Sequence, residues 1–248
     1  MKNKFLTLLV FSMSLLMAAD ATKIMGKVQY EGKAPRPKKV NMNADPICGK
    51  SHSGPTFNES FLINKESYMQ NVMVWVNNPK HSQTAPSTPI ELDQLGCKYI
   101  PRVTGIMKGQ DLLIKNSDKT LHNIHSQTKV NNKFNFAMPA KSDPSIKKFN
   151  ELEDPFHIKC DVHPWMKSWV VVLDHPYWAV TDADGNYEIN LSGLEAGDYE
   201  LCFWHEKWDK SMKKGSGYCS DDFKQTVTVA DKSVDAGTKS FKKPAKKK

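Results

Sequence analysis

The chain has no Gly-x-Ser-x-Gly elbow, no His-Glu-x-x-His pair and no phosphate-cradling glycine loop. The usual signatures of serine hydrolases, zinc peptidases and nucleotide-binding enzymes are therefore missing. Past Met17 no stretch is long and apolar enough to span a bilayer. No segment before Leu173, outside the N-terminal apolar run, repeats its apolar residues with a helical period, which argues against a helical bundle. Cysteine is scarce, with five in 248 residues, and no Met-x-x-Met cluster occurs.

What is present begins at the N-terminus. Lys2 and Lys4 precede the apolar run Phe5 to Met17, and Ala18-Ala19-Asp20-Ala21 follows. This is the order of a secretory signal peptide, expected over residues 1–21, so the mature protein should be periplasmic or secreted. An oxidising compartment favours disulfides. Of the five cysteines, Cys48, Cys97, Cys202 and Cys219 can pair as Cys48–Cys97 and Cys202–Cys219, which leaves Cys160 free. Other connectivities are compatible with the spacing. The net charge of +8 owes part of its value to the run at 241–248, read as a basic disordered tail. In an exported protein such a tail suits weak contact with an acidic partner or membrane surface better than nucleic acid.

The middle of the chain reads as short strands. Ile24–Tyr30, Val72–Val76, Asp111–Asn116 and Trp169–Leu173 have strand composition, while Ala34 to Lys65 is polar, proline-containing and irregular. The expected fold class is all-β, with an antiparallel sandwich or barrel over residues 22–173 interrupted by this N-terminal insertion. A smaller β-sandwich over 174–240 should follow, in which Asp182-Ala-Asp-Gly185 marks a hairpin between Trp178–Thr181 and Tyr187–Ile189.

The chemistry concentrates in Cys160-Asp-Val-His163-Pro-Trp-Met166. A thiolate, an imidazole and a thioether spaced three apart on one interstrand loop are soft donors suited to copper in a three-plus-one geometry. Leu121-His122-Asn123-Ile124-His125 offers the missing imidazole. His122 and His125 point to opposite faces of a strand, so only one can serve. His175 and His205 read as polar caps or surface histidines and not as a second metal site, and Asp182-x-Asp184-Gly185 places its glycine too early for an EF-hand loop.

The ligand loop and the His-Asn-Ile-His string resemble the cupredoxin, or blue copper, family in its amicyanin-like and plastocyanin-like members, over roughly Gly105 to Leu173. The resemblance implies one copper ion held by His122, Cys160 and His163 with Met166 as weak axial ligand, and single-electron transfer between redox partners without catalysis. It also implies a Greek-key sandwich over residues 22–173, His163 as an electron port near an apolar surface, and Asn123 as a brace of the ligand loop. Where amicyanin has a proline, this chain has Val162, whose N–H is expected to approach the Cys160 sulfur. The segments Val180–Tyr187 and Leu194–Leu201 resemble carboxypeptidase-regulatory-like, or transthyretin-like, modules, which implies a fold and at most a carbohydrate or protein contact. Two other roles stay open: a periplasmic copper carrier or buffer, and a binding module with a vestigial copper site.

Overall fold

The computed structural model describes residues 22–77, 79, 82–209, 219–230 and 232–243. The expected signal peptide lies outside them. Among the described residues no helix is long and apolar enough to cross a membrane. The fold is all-β, as expected, and the described residues include a five-residue helix, α1 (Pro46–Lys50), and a short 3-10 turn.

Two sheets build the unit that carries the ligand loop. One has the order β10 (Asn135–Met138), β9 (His122–Ser126), β12 (Glu153–Lys159), β13 (Lys167–Leu173) and β7 (Val103–Met107). The other runs β11 (Ser145–Lys148), β8 (Asp111–Asn116), β5 (Ile90–Gln94) and β6 (Tyr99–Ile100). Between them lie Leu92, Ile106, Leu112, Ile114, Ile124, Phe149, Phe156 and Ile158, together with Cys160 and Met166. Asp111–Asn116 and His122–Ser126 alternate in burial, as strands with one face on a core must.

A second core is built from β1 (Lys23–Glu31), β4 (Met73–Val76), β14 (Trp178–Val180), β15 (Asn186–Asn190), β16 (Gly197–Trp204), β17 (Lys224–Val229) and β18 (Val234–Lys242). β1 pairs antiparallel with β15 and parallel with β18, and β4 sits between β14 and β16. A small ribbon, β2 (Leu62–Ile63) with β3 (Met69–Gln70), lies beside them.

This corrects three expectations. The chain does not divide at Leu173, because Ile24, Val28, Tyr30 and Met73–Val76 complete the second core. A unit of some 65 residues has little apolar surface to bury, and the N-terminal strands supply what it lacks. Asp182–Gly185 does form a tight turn, with the Gly185 N–H on the Asp182 carbonyl at 3.1 Å. Its flanking strands join different sheets, however, so it is not a hairpin. Finally, Phe241 and Lys242 belong to β18, and Phe241 is fully buried, so an apolar anchor stands where the tail was expected to begin.

β13 is the wall between the cores. Val170 and Val172 face the ligand-loop core, while Trp169 and Val171 face the second. Burial on both sides explains the unbroken apolar run Trp-Val-Val-Val-Leu. Beside it, Gly105 of β7 has no room for a side chain, since a Cβ would lie 2.6 Å from the Trp178 ring. The largely buried Arg102–Glu206 ion pair, at 2.6 Å, spans the same boundary.

Candidate metal centre

β9 places His122 on its inner face and His125 on its outer one. His122, Cys160 and His163 are buried together, with donor atoms within 4.8 Å of one another. His125 is elsewhere, half-exposed and 2.8 Å from Asp161. The loop closes on itself, with the Met166 N–H on the His163 carbonyl at 2.9 Å and the Cys160 N–H on the Met166 carbonyl at 3.3 Å. Met166 is buried in the same core. Asn123 braces the loop from β9, its side-chain oxygen accepting the Asp161 N–H at 3.1 Å. Tyr99 donates to the Asn123 carbonyl from the opposite side.

The partners of the two imidazoles determine where their protons sit. Their Nδ1 atoms lie 2.9 Å apart. Each Nε2 meets a carboxylate, His122 with Asp118 at 2.8 Å and His163 with Asp45 at 3.1 Å. An ionised carboxylate only accepts, so both Nε2 atoms carry protons. The Nδ1 pair then holds one proton between two lone pairs, and the rings share a single positive charge. The titration directions agree. Burial opposes charge on His122, but Asp118 and Cys160 outweigh it and lift its pKa to about 9. Burial holds His163 below its ordinary value, with the His122 charge adding to the effect and Asp45 opposing it. Burial would raise the pKa of Asp45, yet hydrogen bonds from Thr120, Cys48, Ile47 and His163 hold it at about 2.

Cys160 is the free cysteine, and both anticipated disulfides, Cys48–Cys97 and Cys202–Cys219, are formed. Burial opposes its thiolate, but contacts with His122 and the amides of His163, Asn123 and Val162 draw its pKa below the usual thiol value. The nearest amide is that of His163, 3.3 Å from the sulfur.

The donor set fits a metal ion. Metal–nitrogen and metal–sulfur bonds of about 2.0 and 2.3 Å at tetrahedral angles give N···S edges of about 3.6 Å and N···N edges of about 3.3 Å. Cys160 Sγ and His163 Nδ1 are 3.7 Å apart. The Nδ1 pair, drawn together by its proton, needs to open by only a few tenths of an ångström. Two nitrogens with fixed tautomers, a thiolate-prone sulfur and a nearby thioether suit copper.

His163, expected as an electron port near an apolar surface, is itself only 2% exposed. The insertion roofs it. Asp45 caps α1 through the N–H groups of Ile47 and Cys48, at 2.7 and 3.2 Å, and accepts from Thr120 at 2.8 Å. The Cys48–Cys97 bond pins this roof, with Cys48 Sγ 3.7 Å from His163 Nε2. Closing a loop with 49 residues of separation stabilises the fold by about 4 kcal/mol on chain-entropy grounds. The Trp165 ring lies tilted against His163, centroids 5.1 Å apart, and donates from Nε1 to the Cys97 carbonyl at 3.0 Å.

Asp45 and Asp118 were not anticipated. The only signals were an Asp-Pro step ahead of a short helix and an acid four residues before His122. His175 and His205 accept backbone N–H groups from Tyr177 and Lys207 within their own turns. That is the capping role expected of them, although both are buried.

The chain matches no protein-family model and no curated protein. Several solved structures share part of its fold. One is a copper-containing nitrite reductase from Thermus scotoductus, at 15% identity and a TM-score of 0.33, covering 39% of this chain and 26% of that one. Another is a purple cupredoxin from Nitrosopumilus maritimus, at 23% identity and a TM-score of 0.29, covering 34% of this chain and 99% of that one. A third is a methionine variant of amicyanin in its Cu(I) form, at 21% identity and 0.31, covering 40% of this chain and 98% of that one. The chain thus spans about a quarter of the nitrite reductase. These likenesses are too partial to carry an argument about function.

Proposed function

We propose that this chain is an exported type 1 copper protein that transfers single electrons between redox partners. The observation behind this reading is the buried convergence of His122, Cys160 and His163, whose inward atoms are one sulfur and two Nδ1 lone pairs. Copper would supply a one-electron couple there. Cys160 supplies the anionic sulfur that favours the higher oxidation state, and Met166 the weak fourth donor. Asp118 and Asp45 fix both imidazoles with Nδ1 turned inward and make them better donors. Packing around the loop resists rearrangement between oxidation states.

The roof over His163 moves the partner surface outward. Ile47, Leu95, Leu121 and Val162 are all exposed, and each lies within two residues of a side chain at the centre or its roof. A partner would dock on this apolar end, with the second sandwich as a spacer or a further contact surface.

Visible and electron-spin-resonance spectra of the copper-loaded protein test the reading. An intense sulfur-to-copper absorption that disappears in Cys160→Ser is expected. A colourless protein that takes up no copper would sink it. The burial of His163 favours one second reading, copper storage or carriage, since a covered ring edge slows partner access as well as loss of metal. Fast exchange with a chelator and no reversible potential would select that role.

A further inference from the structure

The front of the imidazole pair, with Cys160, is not the only place where metal-binding atoms gather. Behind the rings lies a second group. Asp45, Cys48 and His163 have ligand atoms within 4.8 Å of one another, and so do Cys97, Asp118 and His122. The two groups are joined by the Cys48–Cys97 bond. While that bond is intact its sulfurs are poor donors. As thiolates they would be the two strongest donors in the neighbourhood.

We propose that reduction of Cys48–Cys97 opens a second metal site on the outer edge of the His163 ring, for a thiophilic closed-shell cation, Cu(I) or Zn(II). Its ligands would be Cys48, Cys97 and His163 Nε2, with Asp45 as fourth donor. Two edges suit it already, and once the bond is broken Cys97 must part from Cys48 to complete the site. His163 Nε2 lies 3.7 Å from Cys48 Sγ and 3.1 Å from Asp45 Oδ2. Tetrahedral coordination asks for about 3.6 and 3.3 Å for those two edges. No ring rotation is needed, because the front donors use Nδ1 and the rear donors Nε2.

The chemistry requires a reductant, and the class it requires is a dithiol. Such a reductant gives two electrons and two protons. The S–S bond breaks, two thiols form, and the reductant closes to its own disulfide. Metal binding then displaces three protons, one from each thiol and the one on His163 Nε2, while the proton between the Nδ1 atoms stays on His163 and keeps its ring neutral. A cleft of about 290 Å³, lined by Met42, Asn43, Cys48, Gly49 and His52 among others, reaches the bond from the surface.

Cys160→Ser removes the front thiolate and isolates the rear group. This variant should be reduced with dithiothreitol, desalted without oxygen and titrated with Cu(I) or Zn(II). It should take up one equivalent, roughly 100-fold more tightly than its oxidised counterpart. The gain should vanish in Cys48→Ser/Cys160→Ser and weaken in Asp45→Asn/Cys160→Ser. Equal uptake by the oxidised and reduced forms, or uptake that survives loss of Cys48, would overturn the proposal. Should these variants unfold, the reduced wild-type chain gives the answer by alkylation. Added metal should slow the reaction of Cys48 and Cys97 with iodoacetamide, and unchanged rates would again overturn it. The titration omits the Cys160 thiolate and the alkylation reads only Cys48 and Cys97, so failure here leaves the blue-copper reading standing, and the converse holds.

Discussion

Both cores of this protein bury histidine, and they do opposite things with it. In the ligand-loop unit, His122 and His163 face carboxylates on one side and each other on the other, and share a positive charge. In the second sandwich, His205 lies among Trp208 and Phe61, accepts the Lys207 N–H and is held neutral, its pKa pushed down to about 3 by burial. Residue type and depth are the same. The difference lies in two aspartates, which determine which nitrogen keeps its proton and therefore which one is free to bind a metal.

The largest test of that contrast is removal of the imidazoles. His122→Ala should weaken copper binding by more than roughly 100-fold, whereas His205→Ala should leave affinity unchanged and cost stability alone. Titration calorimetry with copper decides it; equal losses would erase the distinction. Acid and base should separate the two histidines next, in the metal-free protein. His205 has a folded pKa below its unfolded value, so its stabilising contribution is present above pH 6.5. It is lost progressively from there as pH falls toward 3. Full loss is on the order of 3–5 kcal/mol. His122 has a raised folded pKa, so its contribution is complete below pH 6.5 and is lost as pH rises through about 9. Denaturant melts across pH, repeated in His205→Gln and His122→Gln, should each remove one limb. Copper affinity should climb over the same alkaline range, because metal must displace the proton between the Nδ1 atoms.

A smaller effect is expected from the carboxylates. Asp118→Asn should lower copper affinity by roughly 10–100-fold and raise the reduction potential by weakening His122 as a donor. An unchanged potential would mean that Asp118 only holds the loop through the Gly96 and Cys97 N–H groups it also accepts. The smallest effect belongs to Val162. Its amide and those of His163 and Asn123 all draw charge from the Cys160 sulfur. Val162→Pro removes one of the three N–H groups and should lower the potential by tens of millivolts. An unchanged or higher value, read by protein-film voltammetry, would assign the effect to the other two amides.

Much of the centre was legible in the chain. The three-residue spacing of Cys160, His163 and Met166 is local, and one loop must bring the three side chains near each other. Strand alternation put His122 and His125 on opposite faces, and the family resemblance selected His122. Export and one odd thiol made disulfides expected, while spacing left the observed pairing as one of several. The roof was not legible, because Asp45 and His163 are 118 residues apart and nothing in either segment encodes their meeting. The shared second core was hidden for the same reason. Ile24–Tyr30 and Met73–Val76 are good strands in any sheet, and only pairing energy across the whole chain selects their partners.

The sequence by itself thus determined the donor types, their order along one loop and the all-β class, since side-chain chemistry and local periodicity act over a few residues. The tertiary structure decided which imidazole edge faces inward and which is roofed by Asp45 and the Cys48–Cys97 bond. It also decided that β13 is buried on both faces. Those outcomes depend on contacts between segments distant in the chain, where packing and hydrogen bonding select among strands and acids that are locally equivalent.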